Sequence, residues 1–250
     1  MNYKTKGIVL KRMNLGEADR ILTIFTLKNG KIKAIAKGVR KTLSKLAGHL
    51  EPFCLVNLGI AEGRNLDIVT DAEMTKCFIK LHSNLEATNT AYYLAEIVER
   101  MTAENQAHPE IYELLDEVLE HLNNNQNKLL LSYFEINFLN LSGFLPELYK
   151  CVACGVKLQF ENNYFSFESG GVVCEKCASS GSIAISAEAI KILRLFLTNH
   201  ISLVQKVSIS EDLSKKILSI ASLYIDFIAQ KEFKSKRFLK NSCEKSKKNI

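Results

Sequence analysis

The first 75 residues show short apolar runs separated by turn residues, which is typical of β-strands. Five runs rich in β-branched and aromatic residues predict five strands, at 7–10, 20–27, 31–37, 53–58 and 66–70. Asn29-Gly30 joins the second and third runs and indicates a hairpin, because both turn positions favour a positive φ. The segment 42–50 is expected to form about two helical turns. Five strands with a short helix after the third are typical of a small OB-type barrel.

Beyond residue 75 the apolar residues recur every three to four positions, which predicts amphipathic helices. Two such faces occupy 91–101 and 111–122, and Pro109 fits the first turn of the second helix. The segment 129–141 is apolar nearly all round and is expected at the centre of a helical bundle. Further helices are predicted over 187–197, with Ser186 as N-cap, and over 212–229.

These patterns predict an α+β protein with two domains and a tail. Residues 1–80 are expected to form the OB-type barrel, and residues 81–230 the helical domain. Residues 231–250 carry 8 Lys and Arg against 2 Glu and are expected to be a disordered basic tail.

Four of the seven cysteines occur as two Cys-x-x-Cys pairs, Cys151 with Cys154 and Cys174 with Cys177. The pairs are 19 residues apart, which is a spacing expected of a four-cysteine zinc ribbon. Each pair lets two thiolates reach one ion, and four thiolates complete a tetrahedron without an open position. We therefore predict one structural Zn²⁺ per chain, in a module inserted into the helical domain at 149–180.

The other three cysteines are not expected to form disulfides, because the odd total and the metal-type spacing favour a reducing compartment. Cys54 and Cys77 lie in otherwise apolar stretches and are predicted to be core residues, whereas Cys243 is expected to be a free thiol. Charged residues interrupt the first apolar stretch, so no signal peptide is predicted. No uncharged run approaches the roughly 18 residues of a membrane-spanning helix. We expect a soluble, cytoplasmic protein.

The net charge of +6 is distributed in blocks of opposite sign. Residues 1–80 carry 15 Lys and Arg against 7 Asp and Glu, residues 81–150 carry 3 against 11, and residues 186–250 carry 13 against 6. The first 45 residues alone have 12 basic and 2 acidic residues. This basic head favours a surface for a polyanion such as nucleic acid, although a solvated surface is the alternative.

The barrel is predicted to present a cationic face, because alternation along 31–37 places lysines on one side and apolar residues on the other. The barrel offers only Tyr3, Phe25 and Phe53 for base stacking, so we expect binding to be dominated by charge. Four to six phosphate contacts on single strands predict a log-log salt slope of roughly −3 to −4. The candidate contact residues are Lys11, Arg12, Arg20, Lys33, Lys37, Arg40, Lys41 and Lys45.

The sequence contains no local motif for nucleotide binding or hydrolysis, and its five histidines are scattered singly. We therefore predict no catalytic residues, no enzyme activity, and capping or surface roles for the histidines, including His82. Two other interpretations stay open. A zinc-ribbon factor of translation or transcription would prefer structured RNA, and a thiol-exchange enzyme would have labile cysteines and no tightly held zinc.

Two sets of short motifs occur at compatible spacing in the two halves of the chain. The first set is 7–10, 16–20, 25–26, 29–31, 36–41 and 50–53. The second set is 134–135, 143–148, 151–155, 165–166, 170–174 and 177–178. From about residue 3 to 197, the motifs and their order resemble the bacterial RecO family of DNA repair proteins.

The resemblance implies an OB-fold that binds single- and double-stranded DNA, joined to a helical domain with an inserted zinc module. It also implies annealing of strands coated with single-stranded DNA-binding protein, and action with RecR to load recombinase in the RecF pathway, at the nucleoid. Family members grip the acidic C-terminal tail of single-stranded DNA-binding protein through the helical domain. Residues 81–150 have the wrong sign of charge for that tail, so its cations would come from elsewhere, such as Arg100, Lys128, Lys191 or Arg194.

Overall fold

A computed structural model describes residues 2–124, 127, 129–204 and 206–239 of the 250-residue chain. The described residues form two compact units. The first unit comprises the described residues up to 124 together with 233–239, and the second those between 127 and 232. The first unit contains β1 (Asn2–Leu15), β2 (Asp19–Thr26), β3 (Gly30–Ala36), β4 (Leu55–Ala61), β5 (Asp67–Lys76), α1 (Ile79–Ser83), α2 (Leu85–Met101) and α3 (Pro109–Asn124). The second contains α4 (Leu129–Leu141), β6 (Asn163–Ser166), β7 (Gly171–Cys174), β8 (Ile183–Ile185), α5 (Ala187–Thr198), α6 (Ile201–Val204) and α7 (Glu211–Ala229).

The five strands of the first unit close into a barrel in the order β1-β2-β3-β5-β4. Neighbouring strands are antiparallel except β3 and β5, which are parallel. The interior is filled by buried apolar residues from every strand, among them Val9, Leu22, Ile32, Val56 and Val69. The prediction of a five-stranded OB-type barrel is confirmed.

Strand β1 is longer than the predicted run 7–10, because it has two neighbours. Its first part pairs with β4 from Asn2 to Ile8, and its second part pairs with β2 from Gly7 to Leu15. The register against β2 shifts between Val9 and Lys11. Such an irregularity bends a strand and increases its twist, which lets one strand turn the corner of a small barrel.

The predicted helix over 42–50 is wrong, because residues 38–49 form a series of turns. Each turn bonds an amide to the carbonyl three residues earlier, in the pairs Lys41 to Gly38, Ser44 to Lys41, Ala47 to Ser44 and His49 to Leu46. An α-helix needs bonds to the fourth residue back. Leu43 is 96% exposed, so this segment lacks the apolar packing that stabilises a short helix.

Helices α1, α2 and α3 belong to the same compact unit as the barrel, whereas we expected a domain boundary near residue 80. One link is ionic: the Lys76 ammonium at the end of β5 lies 3.3 Å from an Asp116 carboxylate oxygen and 2.8 Å from one of Glu120, both on α3. These side chains tie the helices to the barrel. The first compact unit therefore extends beyond residue 80.

Lys31 forms a second link between the barrel and α2. Its side chain is only 7% exposed, and its ammonium donates hydrogen bonds to the carbonyl oxygens of Glu99 and, at 2.6 Å, of Thr102. The two carbonyls belong to the last turn of α2 and to its C-cap residue, Thr102, where a cation is favoured by the helix dipole. Burial lowers the pKa of Lys31, although Glu104 and Glu99 oppose this shift.

The hairpin residue Gly30 lies directly against the segment that follows α2. It has a φ of +66°, and a Cβ atom there would lie 1.9 Å from the carbonyl oxygen of Gln106. The backbone amide of Asn105 donates a hydrogen bond to the Lys31 carbonyl at 2.9 Å. Only glycine allows this close approach of two backbones.

The beginning of the predicted disordered tail is ordered in the structure. Phe233 is 2% exposed, and its ring packs edge-on against Tyr93 of α2, with ring centroids 5.7 Å apart. Glu96, also on α2, accepts amide hydrogen bonds from Lys234 at 3.0 Å and Ser235 at 2.8 Å. The buried Phe233 ring thus holds this segment on α2, although most of the surrounding residues are charged.

Residues 236–239 continue the segment as a helical turn. The structure therefore differs from the predicted tail over 233–239. The rest of that prediction, including the free thiol at Cys243, lies outside the described residues. We call residues 233–239 the C-terminal anchor.

The second unit is built around α4, which is buried nearly all round as predicted. Tyr133 packs edge-on against Phe196 of α5, with centroids 6.0 Å apart, and the Asn137 amide donates to the Phe196 carbonyl at 3.1 Å. Ser186 caps α5 by accepting the amide of Ala189 at 3.3 Å, as expected. Helix α7 completes the group, and α6 and β8 are elements that the sequence pattern did not predict. Among the described residues, no helix is both long and apolar enough to cross a membrane.

Cys54 and Cys77 form a disulfide with Cα atoms 4.5 Å apart, so the expectation of no disulfide is wrong. Cys54 directly precedes β4 and Cys77 directly follows β5, and Leu55 pairs with Lys76 between them. Strand register therefore brings the two cysteines together, which an argument from compartment cannot detect. Their predicted place in the core is correct, because Cys54 is fully buried and Cys77 packs against the same barrel core.

Candidate metal centre and nucleic-acid surface

The two Cys-x-x-Cys pairs lie beside a small antiparallel sheet of order β7-β6-β8. Cys174 ends β7, and Cys177 follows in a single 3₁₀ turn. Cys151 and Cys154 lie in a tight turn, in which the Gly155 amide donates to the Cys151 carbonyl at 2.8 Å. Between the two pairs, β6 and β7 form an antiparallel hairpin.

The four sulfur atoms of Cys151, Cys154, Cys174 and Cys177 all lie within 4.8 Å of one another. The sulfurs of Cys154 and Cys174 are 3.9 Å apart. A tetrahedral zinc ion with bonds of about 2.3 Å places its sulfur ligands about 3.8 Å apart. The donor set and its spacing thus fit a closed, four-thiolate metal centre.

Neighbouring groups of the cluster shift the pKa of two of its thiols, Cys151 and Cys177. Burial raises the pKa of Cys151, but hydrogen bonds from the amides of Cys174, Cys154 and Ala153 outweigh it and lower the pKa to about 6. The pKa of Cys177 is raised to about 12 by hydrogen bonding to the sulfurs of Cys154 and Cys174. Four neighbouring sulfurs cannot all be thiolates without a cation to offset their charge.

The close packing of the backbone at Gly171 explains why a glycine is needed shortly before the second cysteine pair. A Cβ atom at Gly171 would lie 2.5 Å from the Glu147 carbonyl oxygen and 2.6 Å from its amide nitrogen. The Val172 amide donates to the same carbonyl at 2.8 Å, and the Glu147 amide donates to Gly170. The chain leading to Cys151 is therefore held directly against the start of β7.

Four of the eight candidate DNA-contact residues are paired with carboxylates. The pairs are Lys11 with Glu99 at 3.4 Å, Arg12 with Glu51, Arg20 with Glu51 at 3.3 Å, and Lys33 with Glu104. We call these four basic residues the paired cations. A phosphate would have to compete with these carboxylates, which the sequence could not reveal because every acidic partner is more than 30 positions away.

The other four candidates lie together in the turns after β3, and we call them the turn cations: Lys37, Arg40, Lys41 and Lys45. All four residues are exposed. Within the described part of the chain, none of them has a carboxylate partner. This is the group whose charge is available to a polyanion.

The turn cations are held against the loop between β1 and β2. The Arg40 guanidinium donates to the Gly16 carbonyl at 3.0 Å, and the Arg40 amide donates to Ala18 at 2.9 Å. The Asp19 carboxylate accepts the Gly38 amide at 2.7 Å. A segment without regular secondary structure thus has a defined position.

Two family models match this chain, one for each end. The model described as "Recombination protein O N terminal" matches residues 1–78, and that described as "Recombination protein O C terminal" matches residues 82–237. The chain belongs to the RecO family. The resemblance seen in the motifs is thereby confirmed.

Curated relatives named "DNA repair protein RecO" match nearly the whole chain. A relative from Dehalococcoides mccartyi is 38% identical over 94% of this chain and 93% of its own length. Relatives from Roseiflexus and Alkaliphilus metalliredigens are 35% and 34% identical, over 95% and 90% of this chain and 84% and 93% of their own lengths.

Membership of the RecO family makes the chain a DNA repair and recombination protein. RecO is a family of DNA repair mediators and not a known family of enzymes, so the comparisons favour neither a translation or transcription factor nor a thiol-exchange enzyme. The four-cysteine cluster is a centre that can hold a metal ion in this RecO protein.

The residues considered for an acidic partner tail have other contacts in this RecO protein. Arg100 pairs with Glu96 at 2.8 Å on α2. Arg194 donates to the Leu148 carbonyl at 3.0 Å. Lys191 lies over an exposed aromatic ring, 5.4 Å from its centroid. Lys128 lies outside the described residues.

Proposed function

We propose that this RecO protein binds single- and double-stranded DNA without reading its sequence and anneals complementary strands coated with single-stranded DNA-binding protein. We further propose that it acts with RecR to load recombinase in the RecF pathway, at the nucleoid. The family supports this cellular role. The charge of the barrel supports the physical step that underlies it.

The observation that carries the DNA-binding proposal is the group of turn cations, with four positive charges that no carboxylate of the described residues neutralises. Cations that contact phosphates release condensed counterions, which favours binding and makes it depend on salt. Annealing needs such neutralisation on two backbones at once. The paired cations add to this surface only where phosphate displaces their carboxylates.

Base stacking contributes little in the barrel, which fits binding without sequence preference. Phe25 and Phe53 are buried, with at most 1% of each residue exposed. The Tyr3 hydroxyl is half-buried and donates to an Asp67 carboxylate oxygen at 3.2 Å. This supports a proposed surface on which charge dominates binding.

We propose that the four-cysteine centre holds one Zn²⁺ as a structural ion. Four thiolates would fill all four ligand positions of the ion, so no position would be open for substrate or water. Cys151 is buried, and Phe165 of β6 packs edge-on against Tyr224 of α7, with centroids 5.3 Å apart. Zinc binding would thus stabilise the second unit, because metal affinity at such a site is folding free energy.

The DNA surface is tested by the salt dependence of binding to a labelled oligothymidine, measured by fluorescence anisotropy. Four phosphate contacts predict a log-log slope of about −3, since each contact on a single strand contributes roughly −0.7. The variant Lys37→Gln/Arg40→Gln/Lys41→Gln should have a slope of about −1. An unchanged slope in this variant would exclude the turn cations as the binding surface.

A matched pair of single variants provides the control. Lys33 and Lys37 lie on the same side of β3 and its continuation, but only Lys33 is paired with a carboxylate, that of Glu104. Lys37→Gln should reduce the slope by about 0.7, whereas Lys33→Gln should leave it nearly unchanged. Equal effects would show that the carboxylate partners do not decide which cations contact DNA.

A further inference from the structure

Cys54, Cys77 and His82 form a cluster of metal-ligating residues separate from the four-cysteine centre. Their ligand atoms all lie within 4.8 Å of one another. Cys54 precedes β4, Cys77 follows β5, and His82 lies on α1. Two sulfurs and an imidazole nitrogen are donors that zinc and other thiophilic ions prefer.

The backbone beside Cys54 is held in an uncommon conformation. Phe53 has a φ of +64°, which is rare for an aromatic residue because its Cβ is crowded in the left-handed region. Its amide donates to the Val9 carbonyl at 2.7 Å, and the Val9 amide donates to the Cys54 carbonyl at 3.2 Å. These bonds to β1 therefore fix the direction in which the chain passes through Cys54 and enters β4.

The same phenylalanine positions the histidine. The Phe53 ring stacks on the His82 imidazole with centroids 6.0 Å apart, and the Tyr92 ring packs edge-on against Phe53 at 4.8 Å. A ligand histidine whose ring is held by neighbours loses less freedom when it binds a metal. Cys54 is fully buried whereas His82 is exposed, so an ion could enter from the histidine side.

We propose that Cys54, Cys77 and His82 form a second metal site, which holds Zn²⁺ or a similar thiophilic divalent cation when the two cysteines are reduced. In the disulfide the sulfurs are bonded to each other and cannot act as thiolate ligands. The site is therefore gated by the oxidation state of this pair. Its fourth position is open to water, unlike the closed four-cysteine centre.

The chemistry of the gate is ordinary thiol–disulfide exchange. A small dithiol attacks the Cys54–Cys77 disulfide, is itself oxidised to a cyclic disulfide, and transfers two electrons and two protons, so that two protein thiols form. Zn²⁺ then binds both sulfurs as thiolates and releases the two protons to solvent. Oxidation by a disulfide of low-molecular-weight thiols would reverse both steps and release the ion.

The test is the zinc content of the full-length protein, purified with a dithiol reductant and washed with a weak chelator. Cys54→Ser/Cys77→Ser should contain one zinc fewer per chain than the parent. The exposed His82→Asn should also lose this ion, or bind it at least tenfold more weakly in competition with a chromophoric chelator. Cys243→Ser is the matched control and should retain the parental content.

Substitution with Co²⁺ separates the two centres by spectroscopy. The site with two sulfurs and one nitrogen should give weaker sulfur-to-cobalt charge-transfer absorption than the four-sulfur site, and Cys154→Ser should leave only the weaker set. The proposal is overturned if the reduced parent and both site variants hold equal zinc. It is also overturned if the disulfide resists the dithiol in the folded protein.

Discussion

Lys31 and Lys33 show how two lysines on one face of β3 acquire different roles. The Lys33 ammonium lies at the surface beside Glu104, which raises the pKa of Lys33 through a hydrogen bond and its charge. The Lys31 ammonium is buried against two carbonyls at the end of α2. Alternation in the sequence correctly places both on one side of the strand. It cannot show that a helix end, about 70 residues further along the chain, covers one of them.

Lys31→Met should therefore destabilise the protein by about 1–3 kcal/mol, because two carbonyls lose a charged hydrogen-bond donor in a buried place. Lys33→Met removes only an exposed ion pair and should cost about 0–1 kcal/mol. Urea unfolding at neutral pH measures both. Equal losses would contradict the capping role of Lys31.

At the scale of elements, the sequence correctly predicted the helices and strands in which apolar residues recur with a single helical or strand period along the whole element. The apolar run of α4 and the N-cap Ser186 of α5 lie where the sequence predicted them. The turns at 38–49 and the C-terminal anchor were missed, because their stability depends on distant partners. Phe233 is a single apolar residue in a lysine-rich stretch, and only its contact with Tyr93 of α2 explains why the segment is ordered.

Glu96 should decide whether the C-terminal anchor stays attached to α2. Burial raises the pKa of Glu96, but hydrogen bonds from Ser235 and Lys234 and the charge of Arg100 outweigh it, so the pKa is lowered from 4.5. Glu96→Gln should cost about 2 kcal/mol at pH 7, since it weakens hydrogen bonds to a charged acceptor. Faster amide exchange in residues 233–239 should accompany this loss.

The sign of the pH dependence follows from the lowered pKa. A carboxylate with a lowered pKa stabilises the fold above its unfolded value near 4.5, and this contribution is lost as pH falls through the folded pKa. The difference between parent and Glu96→Gln should therefore shrink at acidic pH. Glu99→Gln, one turn further along α2, is the control and should leave exchange in the anchor unchanged. A difference that grows on acidification would refute the role of Glu96.

At the scale of the whole molecule, the two units carry different kinds of candidate functional residues. The barrel carries a concentrated positive charge, of which the paired cations are neutralised by acidic residues of the same unit and the turn cations are not. The second unit has a four-cysteine cluster that can hold a metal ion. The motif spacing was sufficient to predict the four-cysteine cluster, because its members lie in two local pairs. It was insufficient to rank the cations, because their partners are remote in sequence.

The most direct test of the proposed function is an annealing assay with complementary oligonucleotides precoated with single-stranded DNA-binding protein from the same bacterium. The protein should accelerate annealing, added salt should reduce the effect, and Lys37→Glu/Arg40→Glu/Lys41→Glu should abolish it. Lys33→Glu is the comparison, because that lysine has a carboxylate partner in the native protein. Absence of acceleration while the protein still binds naked DNA would contradict the annealing role. Full acceleration by the triple variant would contradict the assignment of the turn cations.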